Sequence, residues 1–449
     1  MQAEQGELAA PSTKIGLWFI NLGLVALTFS LMVGVLAAFK YLFPDFLDFL
    51  PFYKLRPMHV SLAISWIFLV AIGGIYYYLP NYCKLPLWSP RAARLHFWVF
   101  LLTGLAILGA YLMGYFGGRE YWEFPPVLAL PIFASWILFG VNFYRTLARH
   151  QGSWPVYFWM WATGIIFFFF TFAESYLWIF PYFRESIIRE LTVQWKSYGA
   201  LIGSWNMLVY GTAIFVMAKI GGDDRVARSK MAFSLYFLSL VALMFGWAHH
   251  AYAVPFAPWV RNLAYIVSMS ELLILGKIIW DWRATLKSYQ KHNHCQAYRF
   301  LFAADIWIFL NLILAIMLSV PAINIFTHGT HITVAHAMGT TIGINSMILL
   351  ASVFFVIESK FDPDYCASRE GRVVAFGSRL ANISLFVFLG ALLGAGLMEA
   401  PVGAQPFYAS TEAARPYLMA FAVAGGGLML GLWMVLLPAI KIIWRGKAG

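Results

Sequence analysis

The sequence predicts an all-α integral membrane protein of twelve transmembrane helices. Hydrophobic residues make up 61% of the 449 and charged residues 11%, and the mean hydropathy is +0.72. No water-soluble core absorbs that surplus of apolar surface, so the chain belongs in a bilayer. Apolar runs long enough to span recur along its whole length, and Lys and Arg gather in alternate connections between them. The chain reads as one polytopic domain, residues 1–449, with no separate soluble domain and no fixed-period repeat.

Taken in order, the first run covers 15 to 38, behind Lys14. The second, 58 to 80, carries His59 near its outer end, with Arg56 three residues earlier and therefore one turn further out. The third, 94 to 116, begins beside Arg94 and holds His96, read as an interfacial residue. The fourth covers 126 to 144. The fifth, 155 to 182, has Glu174 towards its outer end, placed to snorkel to the interface. The sixth, 197 to 218, contains Asn206-Met207-Leu208-Val209-Tyr210-Gly211. The seventh, 231 to 250, closes on His249-His250, and the eighth, 262 to 281, carries Glu271 near its middle. The ninth, 301 to 321, leads into Thr327-His328-Gly329-Thr330-His331, and the tenth, 331 to 357, carries His336 and Met338. The eleventh and twelfth cover 377 to 398 and 416 to 440.

An excess of Lys and Arg marks the cytoplasmic side of short loops. With the N-terminus inside, that side collects 22 of the 31 Lys and Arg residues, among them Arg145, Lys219, Lys287, Arg372 and Lys441. Both termini are then expected to be cytoplasmic. The formal net charge of +11 is a topology signal, and no nucleic-acid partner is expected. The polar, acidic stretch 1 to 12 lacks an apolar core before a cleavage site, so no signal peptide is expected. The three cysteines, Cys83, Cys295 and Cys366, fall at or near cytoplasmic loops. In a reducing compartment no disulfide is expected, and the covalent haem-attachment motif C-x-x-C-H is absent.

The ten histidines sort by depth. His150, His292 and His294 lie in cytoplasmic loops and read as solvated. His59, His249, His250, His328, His331 and His336 all fall near the outer ends of their helices. Unpaired polar groups in the membrane each cost several kcal/mol, so a set at one level needs a shared reason, and a metal or haem site supplies it. Residues two apart on a helix point about 200° from each other. His336 and Met338 therefore face opposite sides of one helix, and imidazole and thioether are both axial ligands that haem iron accepts. That helix is read as lying between two haems. Glu271, a carboxylate at mid-membrane, reads as a proton acceptor or metal ligand.

These residues resemble the catalytic subunit of bacterial cytochrome c dependent nitric oxide reductases, in the haem-copper oxidase superfamily. The resemblance runs over nearly the whole chain. It is carried by Arg56 to His59, the loop Gly118-Arg119-Glu120-Tyr121-Trp122-Glu123-Phe124-Pro125, His249-His250, Glu271, and Thr327 to His336. It implies a low-spin haem b on His59, a high-spin haem b on His336, and a non-haem iron or other second metal at His249, His250 and Glu271. It also implies that Arg56 and Arg119 meet haem propionates, that Glu120 helps bind calcium, and that a small c-type cytochrome is the partner. The location implied is a bacterial or archaeal cytoplasmic membrane.

Three departures from the family pattern are visible. Asn206 stands where the first iron histidine is usual, Tyr210 where a glutamate is usual, and Met338 where the second low-spin histidine is usual. An amide oxygen is a weaker ligand for ferrous iron than imidazole, which alters or empties the second-metal site. Met338 ligation raises the low-spin potential relative to a bis-histidine haem. Three activities stay open: reduction of two NO to N2O, dismutation of NO to N2 and O2, and gas binding without a second metal. No charged residue beyond Glu271 lies at mid-membrane in the sixth or eighth run on the cytoplasmic side, so protons are expected from outside.

Overall fold

The computed structural model describes residues 2–250, 255, 257–400 and 407–448, with the side chains of 2–13, 250, 321, 407–411 and 446–448 outside the description. Among the described residues the fold is all-helical, with twelve helices of spanning length and composition. They are α1 (Lys14–Phe39), α2 (Phe52–Asn81), α3 (Pro90–Met113), α4 (Pro126–Leu147), α5 (Val156–Ile179), α6 (Ile187–Gly221), α7 (Lys230–His249), α8 (Pro258–Thr285), α9 (Cys295–Ser319), α10 (His331–Phe361), α11 (Arg369–Glu399) and α12 (Glu412–Arg445). All twelve apolar runs are realised. Helix α6 starts ten residues earlier than hydropathy suggests, because its first turns carry Arg189 and Glu190 beyond the apolar slab.

Only a helix satisfies every backbone N–H and C=O inside lipid, which fixes the element type. Lipid tails are as apolar as leucine, so helix contact depends on close packing and polar contacts. Helices α1 and α2 cross backbone to backbone: a Cβ on Gly16 would lie 2.8 Å from the Gly73 carbonyl oxygen, and one on Gly73 2.7 Å from that of Gly16. Gly377 and Gly431 play the same part between α11 and α12.

Helices α6 and α10 form the centre, where Met207 to Tyr210 and Met347 to Val356 are almost wholly buried. Helix α10 is not uniform. Its α-helical first part, His331–Met338, passes into a π-helical stretch, Gly339–Ser346. The widened turns follow directly after His336 and Met338, and π-bulges of this kind concentrate at functional sites.

Four expectations change. Cys295 and Cys366 form a disulfide across 71 residues, with Cα atoms 6.1 Å apart. Burial of the start of α9 against the connection after α10 brings them within bridging range, which loop position alone does not reveal. His96 is fully buried, packed between Phe19, Phe100 and Phe139, with Nδ1 3.2 Å from the Tyr76 hydroxyl, and is not interfacial. His294 is half-buried against Phe355 and not freely solvated, and burial lowers its imidazole pKa. Glu174 does not snorkel alone; Lys196 of α6 meets its carboxylate at 2.5 Å.

Candidate functional site

The site is assembled at the ends of α7, α9 and α10 that gather around His249 and His336. His249 sits on the 3-10 turn Gly246–His250 that ends α7. Ser268 of α8 approaches His249 Nδ1 at 3.2 Å and steadies the ring. The side chain of His250 lies outside the described residues, so its expected metal role has no geometry here.

His249 and His336 face one cavity of about 20 Å³, together with Ser319, Asn324, His328 and Thr333. Three of the six outer histidines therefore do converge. His331 does not join them: its Nδ1 lies 2.6 Å from Glu399, whose other oxygen accepts from the His331 backbone N–H at the start of α10.

Further along α6, α7, α8 and α10 the polar groups form pairs. Asn345 Nδ2, in the π-helical stretch, donates to Asn206 Oδ1 at 3.3 Å. Tyr210, one turn along α6, is 1% exposed and within electrostatic reach of Glu271. The Ser239 hydroxyl of α7 donates to Glu271 Oε1 at 2.6 Å, so this buried carboxyl has a partner at mid-membrane.

His59 occupies a second place, against α1. Its Nδ1 donates to the Ser30 carbonyl at 2.8 Å, and Ser30 Oγ donates to the His59 carbonyl at 3.1 Å. That arrangement engages Nδ1 and fixes the orientation of the ring. A Cβ on Gly34 would lie 2.7 Å from the ring, so α1 must be bare there. Met338 is partly buried against the main core.

The outer loop after α3 is shaped by its backbone. Gly118 tolerates no side chain, since a Cβ would fall 1.6 Å from the Trp122 carbonyl oxygen, and Tyr121 adopts φ 68°. This hairpin presents Glu120 and Glu123 to Arg56, at 2.6 and 2.7 Å. Arg119 instead meets Glu190 at 2.6 Å and lies 4.1 Å above the Trp178 ring. Both arginines expected at propionates are thus held by carboxylates of the chain itself. Burial raises the Glu123 carboxyl pKa although Arg56 pulls it down, and the Tyr121 phenol is pushed up to about 12.

Residues 14–440 match the family described as cytochrome c and quinol oxidase polypeptide I. The chain belongs to that family. Its members are haem-copper oxidoreductases of the membrane, which carry haems and a second metal. Among similar proteins, a nitric oxide reductase subunit of Stutzerimonas stutzeri is 24% identical over 82% of this chain and 80% of its own length. The cytochrome c oxidase subunit 1 homolog of Agrobacterium tumefaciens (strain T37) is 23% identical over 89% of this chain and 77% of its own. A cryo-EM structure described as a heme-copper terminal oxidase dimer matches with a TM-score of 0.75, covering 97% of this chain and 84% of that one at 14% identity, a likeness of fold.

The donor set in this haem-copper oxidase chain fits the groups its family carries. Imidazoles stand at two separate places, and at each one a ring nitrogen is steadied by a serine or faces a cavity shared with another histidine. Ser30, Ser239, Ser268 and Asn345 were not singled out from sequence. Their partners lie 29, 32, 19 and 139 residues away, and a serine in an apolar run carries no local mark of a distant partner.

Proposed function

We propose that this membrane haem enzyme is nitric oxide reductase-like, converting two NO molecules to N2O. The observation that carries the reading is the convergence of His249 and His336 on one cavity, with Glu271 buried on α8 three residues after the Ser268 that contacts His249. In this reading His336 holds a high-spin haem b, and His59 with Met338 holds a low-spin haem b. His249, His250 and Asn206, with Glu271, hold a non-haem iron or other second metal. When bound, these groups supply one-electron transfer and the positions where NO is held.

The protein's own residues supply orientation and protons. Ser30 and Ser268 fix the His59 and His249 rings, so each presents one nitrogen in a set direction. Ser239 holds the Glu271 carboxyl by one oxygen, leaving the other to accept or release a proton near Tyr210. N2O formation consumes two protons for two electrons. Glu120, Glu123, Glu174 and Glu190 gather in ion pairs with Arg56, Arg119 and Lys196, and in this reading they belong to the outer side, which supports proton entry from outside.

The hairpin bearing Glu120 supports a calcium site, at which the cation competes with Arg56 for that carboxylate, and docking of a small c-type cytochrome subunit. In this reading haem propionates compete with the present carboxylate partners for Arg56 and Arg119. The location is a bacterial or archaeal cytoplasmic membrane, with both termini of the domain 1–449 inside.

Purified protein given NO and a reduced electron donor should form N2O with a 2:1 loss of NO. Absence of both would overturn the reading. A second reaction, dismutation of NO to N2 and O2, is favoured by Asn206, which offers an amide oxygen where the family has an imidazole and so makes a weaker second-metal ligand. Release of labelled O2 from labelled NO without a donor would replace reduction with dismutation.

A further inference from the structure

At the Lys/Arg-rich end of the bundle, far along α10 from the histidines, three metal-ligating side chains meet that the proposed reaction does not use. The ligand atoms of Cys295, Glu358 and Cys366 all lie within 4.8 Å of one another. Cys295 is the first residue of α9, Glu358 belongs to the last turns of α10, and Cys366 lies in the connection to α11. Glu358 is 2% exposed, and its oxygens accept from the backbone N–H groups of Gln296 and Ala297 at 2.7 and 3.3 Å. Its Oε1 stands 3.5 Å from Cys366 Sγ.

We propose that the Cys295–Cys366 disulfide is reducible, and that its reduced form with Glu358 is a site for a soft divalent cation of the zinc type. Tetrahedral zinc, with Zn–S near 2.3 Å and Zn–O near 2.1 Å, places sulfur and oxygen ligands about 3.6 Å apart and two sulfurs about 3.8 Å apart. The Glu358–Cys366 spacing is already close to this value. Opening the disulfide lets the two sulfurs separate to theirs. Two thiolates and one carboxylate select zinc over magnesium or calcium, which prefer oxygen alone. The two backbone N–H groups orient the carboxylate as outer partners commonly orient metal ligands, and the positive end of the α9 dipole favours an anionic ligand set.

The chemistry balances. The disulfide takes two electrons and two protons from a dithiol reductant and becomes two thiols; a divalent cation then displaces both thiol protons and is held by two thiolates and Glu358, with water completing four ligands. With the Lys/Arg-rich end inward, the site faces a compartment where such reductants are abundant and persistent disulfides are rare. Either state ties the start of α9 to the connection between α10 and α11.

The test uses the full-length purified protein with Zn2+ as probe. As isolated in air, one thiol, Cys83, should be alkylated; after phosphine reduction, all three; after reduction and added Zn2+, one again. Zinc X-ray absorption should show two sulfur neighbours near 2.3 Å only in the reduced, zinc-loaded protein, and also in the Cys83→Ala chain. Glu358→Gln, which keeps both thiols, should weaken zinc binding at least tenfold. Zinc taken up by reduced protein without sulfur neighbours, the same two-sulfur signal in Cys366→Ser, or unchanged affinity in Glu358→Gln would each overturn the proposal. Sulfur scattering is blind to any zinc held by histidines at the outer site, so this outcome is independent of NO chemistry.

Discussion

Asn345 donates from the π-helical part of α10 to the amide oxygen of Asn206 on α6, 139 residues away and 3.3 Å distant. The pair ties the two central helices together. It also engages the very atom that, in the proposed function, is a metal ligand. An imidazole at position 206 has a stronger claim on the metal. Asn206→His should raise second-metal content per haem several-fold, and Asn206→Ala should lower it, both read by metal analysis of purified protein.

Removing His336 takes away the imidazole that shares the cavity with His249. His336→Ala should lose about one haem per chain and reduce NO turnover by at least about 100-fold, while His59→Ala should remove the other haem. Haem extraction gives the stoichiometry. Equal haem content in His336→Ala and the parent would refute the assignment.

Met338 stands at the end of the α-helical part of α10, where the backbone widens. Met338→His restores an imidazole, and bis-imidazole ligation lowers a haem potential relative to imidazole with thioether. Redox titration should show one of two haem transitions shifted to lower potential and the other in place. Two unmoved transitions would mean that Met338 is packing.

The Ser239 hydroxyl holds the buried Glu271 carboxyl through a hydrogen bond of 2.6 Å. Ser239→Ala deletes a hydrogen bond to an ionisable group, an effect of about 1.5–3 kcal/mol, and should slow the proton-dependent step by about 10-fold or more. Ser239→Thr keeps the hydroxyl and should recover most of the rate. If the alanine and threonine variants turn over NO alike across pH, Glu271 does not depend on this contact.

Glu123 ties the outer loop to stability. Burial raises its carboxyl pKa above the ordinary 4.5, against the pull of Arg56. Just above pH 4.5 the folded protein therefore holds more protons at this group than the unfolded chain does. Its contribution to stability is largest in acid and declines as pH rises through 4.5 to the folded value. The melting temperature of the parent minus that of Glu123→Gln should fall as pH rises across this window. A difference that grows instead would show that the Arg56 ion pair outweighs burial.

Much of the architecture was legible in the residues. Twelve apolar runs became twelve helices because a bilayer leaves the backbone no other satisfied state across its core. The depth of the outer histidines was legible too, and His249, His328 and His336 do share a cavity. His331 was at the right depth but turns to Glu399, a choice made by the approach of α11. His96 looked interfacial beside Arg94 and is enclosed by aromatic rings from α1, α3 and α4.

The amino-acid order by itself determined the number of spans, their charge asymmetry and the levels at which imidazoles and Glu271 sit, because hydropathy and helix rise act along the chain. Only the tertiary structure decided which groups meet. Ser30 under His59, Ser239 on Glu271, Asn345 on Asn206, and Cys366 joined to Cys295 beside Glu358 are contacts across separate helices. Side-chain direction and helix approach set them, and neither is written in the local pattern of either partner.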